Sequence, residues 1–184
     1  AAAYLAGDRP QSALFLTTME VADEIAGLAG IASDPVTAGT VVVGDAGDRF
    51  TYRSLNEAFR LLLGGAGLVA LEKDRSWMGA DGMTLSAGPF VAALEFASGK
   101  EARVMGKPSP HFFMEALASM GAGPTEAAMI GDDVVTDICG AMACGLSGIL
   151  VRTGKFREEA LARAPCQPSA ILDSIADLPG YLRR

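Results

Sequence analysis

The chain has 184 residues, half of them hydrophobic, and a mean hydropathy of +0.29, so one large domain or two small ones with ample core material are expected. Its net charge of -7 and pI near 4.7 argue against nucleic acid and anionic membrane as partners, and would repel a phosphorylated substrate unless a local cation or metal reverses the sign. Runs such as Val41-Val42-Val43 and Leu61-Leu62-Leu63 are far too short to cross a bilayer, which takes roughly 20 residues, and Ala1-Ala2-Ala3-Tyr4 shows no signal-peptide pattern.

Ser12–Thr17 reads as a short buried strand, and Met19–Leu28 as a helix with Val21, Ile25 and Leu28 on one face. Thr40–Val43 is a β-branched strand ending at Gly44. Thr51 suits the cap of a helix whose Leu55, Ala58, Phe59, Leu62 and Leu63 follow helical spacing up to Gly64-Gly65. Leu68–Leu71 is the next strand, so the first third reads βαβαβ with a parallel sheet. Glu72–Gly88 is polar and glycine-rich, and reads as an irregular loop. Pro89 opens a helix to about Ala97 with Gly99 beyond its end. A second unit follows: an extended Arg103–Met105, a helix from Ser109-Pro110 to Gly121, a strand at Ala127–Ile130, a helix at Val134–Ala143, a strand at Ser147–Val151, a helix at Arg157–Ala164 and a short strand at Ala170–Leu172. The boundary falls near Ser98–Glu101, giving domains 1–98 and 99–184.

The sharpest chemical feature is Gly131-Asp132-Asp133-Val134-Val135-Thr136-Asp137, where a hydrophobic strand ends in carboxylates and a helix begins. Ligands of open α/β sheets bind at such strand ends. Mg²⁺ takes oxygen ligands, so Asp132 suits direct coordination, Asp133 a weaker role beside it, and Asp137 support from one helical turn further on. Seen alone, aspartates at a helix start serve more often as caps. The second feature is Gly106-Lys107-Pro108-Ser109-Pro110, in which Lys107 and the helix start at Ser109 suit a phosphoryl group. A single loop lysine carries little weight, but here it pairs with an acidic metal-type site in an acidic protein.

These two segments resemble motifs III and IV of the haloacid dehalogenase (HAD) superfamily, in both content and spacing. Thr51-Tyr52, Ala58–Leu63, Lys73-Asp74-Arg75, Asp81-Gly82 and Gly88–Ala93 resemble the type C2 cap of its subfamily IIA phosphatases, and Gly148–Lys155 resembles the strand and turn after motif IV. The resemblance implies an α/β fold: a Rossmann-like core, of which only the C-terminal part is in this sequence, plus an α/β cap. It implies Lys107 on the phosphoryl group and the nucleophile, Mg²⁺ on Asp132, Asp133 or Asp137 in support, and hydrolysis of small phosphorylated metabolites through an aspartyl-phosphate. Ser109, Lys73 and Asp74 are the further candidate substrate contacts, and a homodimer through the cap is compatible with the family.

The family's nucleophile lies in a DxDG(T/S) turn before the cap, and no such turn occurs in this sequence. Gly79-Ala80-Asp81-Gly82 has glycine where the nucleophile belongs, and Asp45-Ala46-Gly47-Asp48 reads as a turn. The chain therefore reads as a fragment of a larger phosphatase, inactive alone, with a non-catalytic binding or dimerisation module as the alternative. A response-regulator-like phosphoacceptor is disfavoured because Lys107 precedes Asp132. Gly64–Gly67 is a helix stop, and Trp77 and Met78 either select substrate or lie on a solvated loop. His111 reads as a surface residue, and Met105, Met114, Met120, Met129 and Met142 as core fillers. Cys139, Cys144 and Cys166 fit neither a zinc pair nor a CxxC motif, and read as reduced, buried cysteines of a cytoplasmic protein.

Overall fold

The structure is a computed structural model that describes residues 1–8, 12–34 and 36–183. It divides into two compact units, Ala1–Gly106 and Lys107–Arg184. Among the described residues, no helix is long and apolar enough to cross a membrane.

In chain order the first unit comprises α1 (Ala2–Asp8), β1 (Ser12–Leu16), α2 (Met19–Ala29), β2 (Ala32–Ser33), β3 (Thr40–Val43), α3 (Tyr52–Leu63), β4 (Gly67–Ala70), β5 (Ser76–Gly79), β6 (Gly82–Leu85), α4 (Gly88–Ser98) and β7 (Arg103–Val104). Its main sheet runs β2-β1-β3-β4-β7, with every pairing parallel. Strands β1 and β3 are buried at every position, as parallel strands covered on both faces are. Side chains alternate across a strand, so they sort into two cores. Leu14, Leu16, Val41, Val43, Leu68 and Ala70 pack with Ala58 and Leu62 of α3 and Val91 and Leu94 of α4. Ala13, Phe15, Val42 and Val69 pack with Leu5 of α1 and Ala22 and Ile25 of α2. The result is a three-layer α/β unit.

The helix ends follow their chemistry. The Thr51 hydroxyl accepts from Ser54 N at 3.1 Å and Ser54 Oγ accepts from Thr51 N at 3.0 Å, a reciprocal cap. The strand at Arg103–Val104 pairs with Val69–Ala70, so it belongs to the first unit, and the division falls after Gly106 rather than near Ser98–Glu101.

The stretch read as an irregular loop is an antiparallel hairpin, β5 against β6, with Trp77 opposite Thr84. Its base is held by one side chain. Glu72 Oε1 accepts from Ser86 Oγ at 2.7 Å and Ala87 N at 2.9 Å, and Glu72 Oε2 accepts from Asp74 N at 2.7 Å. Trp77 is half exposed on the hairpin; the side chain of Met78 lies outside the described residues.

Lys73 and Glu95 form an ion pair at 2.7 Å, and Glu95 Oε1 also accepts from Ala102 N at 2.9 Å, tying α4 to the approach of β7. Burial raises the Glu95 carboxyl, but the bonds from Lys73 and Ala102 outweigh it and hold the group below its ordinary 4.5. The folded-state value is the lower one, so this contribution to stability is complete above the unfolded-state value and is lost as pH falls through the folded-state value. Acid titration of unfolding should therefore show Glu95→Gln losing less stability than the parent chain between neutral pH and pH below 4.5. Parallel losses in the two proteins would refute the role of the pair.

The second unit comprises α5 (Pro110–Met120), β8 (Ala128–Gly131), a π-helical turn at Val134–Cys139, α6 (Gly140–Ala143), β9 (Ser147–Val151), α7 (Glu158–Ala162), β10 (Ala170–Leu172) and α8 (Leu178–Tyr181). Its sheet runs β10-β9-β8, all parallel. The helix expected over Val134–Ala143 is split between the π turn and α6, and that expected over Arg157–Ala164 shortens to α7. Two expectations are corrected. Met114 and Met120 are not core fillers: they are 50% and 63% exposed, since burial in α5 is confined to Phe113 and Leu117, one turn apart. The cysteines are not all reduced: Cys139 and Cys166 form a disulfide across 27 residues, and Cys144 alone is a free thiol.

Candidate functional site

The site is built where β8 ends. A Cβ on Gly131 would overlap the Asp137 side chain, so glycine is what lets that carboxylate fold back against the strand end. Asp133 organises the turn. Its Oδ1 accepts from Val135 N and Thr136 N, each at 3.0 Å, and its carbonyl accepts from Asp137 N at 3.0 Å and Ile138 N at 3.3 Å. The second of these is the wider i+5 bond of a π turn, a bulge often found at functional sites. Asp137 Oδ2 accepts in return from Asp133 N at 3.2 Å.

Asp137 is also the partner of Lys107. Lys107 Nζ donates to Asp137 Oδ1 at 2.6 Å; the carboxylate side chain is 5% exposed and the lysine side chain 38%. Lys107 precedes Pro108 through a cis peptide bond, and a Cβ on Gly140 would run into Pro108 and Phe113, so this corner is closely packed on the start of α6. The Lys107 ammonium stands 6.0 Å from the Phe112 ring centroid.

Asp132 is held from the other side. Its Oδ2 accepts from Lys155 N at 2.8 Å. Gly154 before it has φ +52, and a Cβ there would overlap the Asp132 carboxylate, so only glycine allows this approach. Sequence reasoning assigned no role to Gly154 or the Lys155 amide; the available signal was a glycine just past the end of a strand.

Lys107, Asp132, Asp133 and Asp137 thus fall in one unit around one strand end. Ser109 sits at the start of α5, where its side chain makes no capping bond. Lys73 and Asp74 belong to the first unit, where Lys73 is paired with Glu95 and Asp74 N bonds to Glu72. His111 is exposed on α5. Among the described residues, no three His, Cys, Asp or Glu side chains converge as a ready-made metal cage. Magnesium requires none, because it holds one or two carboxylates and completes its shell with water and substrate oxygens. The donor chemistry fits Asp132 as the ligand, with Asp133 engaged in the cap and Asp137 in the ion pair as its supports.

Mixed α/β architecture with acidic residues at the end of a parallel strand defines a Rossmann-like class whose chemistry sits at strand ends. Residues 104–178 match the HAD-hydrolase-like family profile. The chain is 52% identical over 125 residues to human haloacid dehalogenase-like hydrolase domain-containing protein 2, covering 68% of this chain and 47% of that protein. It is 49% identical over 127 residues to the phospholysine phosphohistidine inorganic pyrophosphate phosphatase of Xenopus laevis, covering 68% and 46%. The chain therefore spans about half the length of the curated relatives it matches. Among solved structures it resembles a p-nitrophenyl phosphatase from Archaeoglobus fulgidus (TM-score 0.86, 28% identity, 98% of this chain and 71% of that one). It also resembles a glycerol phosphate phosphatase from Mycobacterium tuberculosis determined in complex with magnesium (TM-score 0.86, 31% identity, 97% and 55%). The chain belongs to the HAD-like hydrolases, in subfamily IIA, the branch of NagD and the 4-nitrophenyl phosphatases.

Proposed function

We propose that this chain forms the cap and the second half of the core of a Mg²⁺-dependent phosphatase acting on small phosphorylated metabolites, with the cap in Ala1–Gly106 and the core half in Lys107–Arg184. The observation that carries the reading is the Lys107–Asp137 pair beside Asp132 at the end of β8. Bound Mg²⁺ would supply Lewis-acid stabilisation of phosphoryl charge. The chain's own residues do the rest. Asp132 would hold the ion. Asp133 fixes the turn through the Val135 and Thr136 amides. Asp137 aims the Lys107 ammonium, which would take a developing charge on a phosphoryl oxygen. Ser109, Lys73 and Asp74 are the proposed further substrate contacts. The nucleophilic carboxylate, which would carry the phosphoryl group as an aspartyl-phosphate, is not among these residues. We place the protein in the cytoplasm, as a homodimer through the first unit, on which Tyr52 and Phe96 are largely exposed.

The second reading is a non-catalytic binding or dimerisation module of the same fold. One experiment separates them: the intact mass of the natural protein against 18.9 kDa, followed by p-nitrophenyl phosphate hydrolysis with and without Mg²⁺. A heavier, Mg²⁺-dependent hydrolase supports the first reading. In it, Lys107→Ala should lower kcat by about 10³-fold. An effect on KM alone would remove Lys107 from the transition state. A protein inert in both conditions supports the second reading.

A further inference from the structure

The run from Asp132 to Cys139 is tied twice to the segment that follows β9. At its start, Asp132 Oδ2 accepts from Lys155 N at 2.8 Å. At its end, Cys139 is bonded to Cys166, with Cα atoms 5.5 Å apart. Between the two ties, Val134 and Ile138 share a small apolar cluster with Leu150, Phe156, Leu161 and Ala164. That cluster has only three buried members, and α7, which lies inside the disulfide loop, buries none of its residues. The segment is thus held to the site more by the covalent bond than by packing. Asp137, the partner of Lys107, stands two residues from the bridged Cys139 on the same π turn.

We propose that the Cys139–Cys166 disulfide is a redox-sensitive clamp on the Asp132–Asp137 site, opened by a dithiol reductant. Both cysteines are half-buried, so neither is sealed from an attacking thiolate. The reductant's first thiolate attacks one sulfur, the Cys139–Cys166 bond breaks and the other cysteine leaves as a thiolate. The reductant's second thiolate then displaces the mixed disulfide. Two electrons pass to the protein, the reductant leaves as its own disulfide, and each cysteine ends as a thiol with one proton. With the bond open, the loop carrying Lys155 separates from the π turn by local unfolding while the strands stay paired. The inference draws its functional weight from the phosphatase reading, but its test needs no turnover.

The test is amide hydrogen exchange on the natural protein in a Cys144→Ser background, which removes the free thiol of this region, before and after dithiothreitol. The air-oxidised protein should carry the disulfide by mass. After reduction, the Lys155, Thr136 and Ile138 amides should exchange faster by about tenfold or more, while those of Ile149–Val151 in β9 and Val41–Val43 in β3 keep their rates. A Cys139→Ala/Cys166→Ala chain should match the reduced protein. If it does not fold, the reduced parent decides the matter. Absence of the disulfide, unchanged exchange after reduction, or acceleration spread evenly over the second unit would each overturn the clamp. None of these results depends on whether the protein hydrolyses a phosphate.

Discussion

Exchange of Asp132 for asparagine should lower Mg²⁺-dependent phosphatase turnover of the natural protein by about 10³-fold while leaving its fold intact. The substitution keeps shape and an acceptor, so the bond from Lys155 N survives. What is lost is one negative charge at the end of β8, which a hard divalent cation needs and an amide does not replace. Circular dichroism and thermal midpoint should match the parent, and Mn²⁺ paramagnetic broadening at residues near β8 should vanish. Activity retained at saturating Mg²⁺ would remove Asp132 from the metal site.

Asp137→Ala should instead act on stability. The Asp137 carboxylate is almost fully buried and accepts from two donors, Lys107 Nζ and Asp133 N. Truncation leaves both without a partner and opens a void against Gly131. We expect a loss of about 2 kcal/mol in urea unfolding. This is below the 3–5 kcal/mol, roughly, of breaking a fully buried pair, because Lys107 keeps 38% of its side-chain surface in water. Asp137→Asn, which can still accept from Asp133 N, should lose less. Equal losses for the two substitutions would show that the ion pair contributes nothing beyond shape.

How legible each part was depends on how local its cause is. Strands β1 and β3 were readable because their continuous apolar runs, SALFL and TVVV, are what burial on both faces demands. The capped start of α3 was readable because Thr51 and its spacing to the apolar stripe are local. Lys107 and Asp132 were singled out because motif and resemblance agreed, and the fold brings both into the second unit. Helix α1 was missed because its seven residues are rich in alanine and show no apolar stripe, with Leu5 as the buried anchor among the described side chains. The β5–β6 hairpin was missed because its four-residue strands have glycine on both sides of the turn, which hides their alternation. The disulfide joins positions 27 apart, and no spacing rule reaches that far. The same holds for the Lys155 amide on Asp132: a backbone donor is invisible in a list of side chains.

The single carboxylate of Glu72 has a wider meaning for the first unit. It grips the chain just before the hairpin at Asp74 and just after it at Ser86 and Ala87. Everything between those points lies outside the main sheet, anchored by this carboxylate together with the backbone bonds from Ser86 N to Arg75 O and from Gly88 N to Asp74 O. The hairpin therefore behaves as an interchangeable cassette. Its length and side chains can be rewritten as a block, through change in about ten residues, while the five-stranded scaffold keeps its register. Diversification among proteins of this architecture would then be sought in what Glu72 holds, rather than in the strands that hold Glu72.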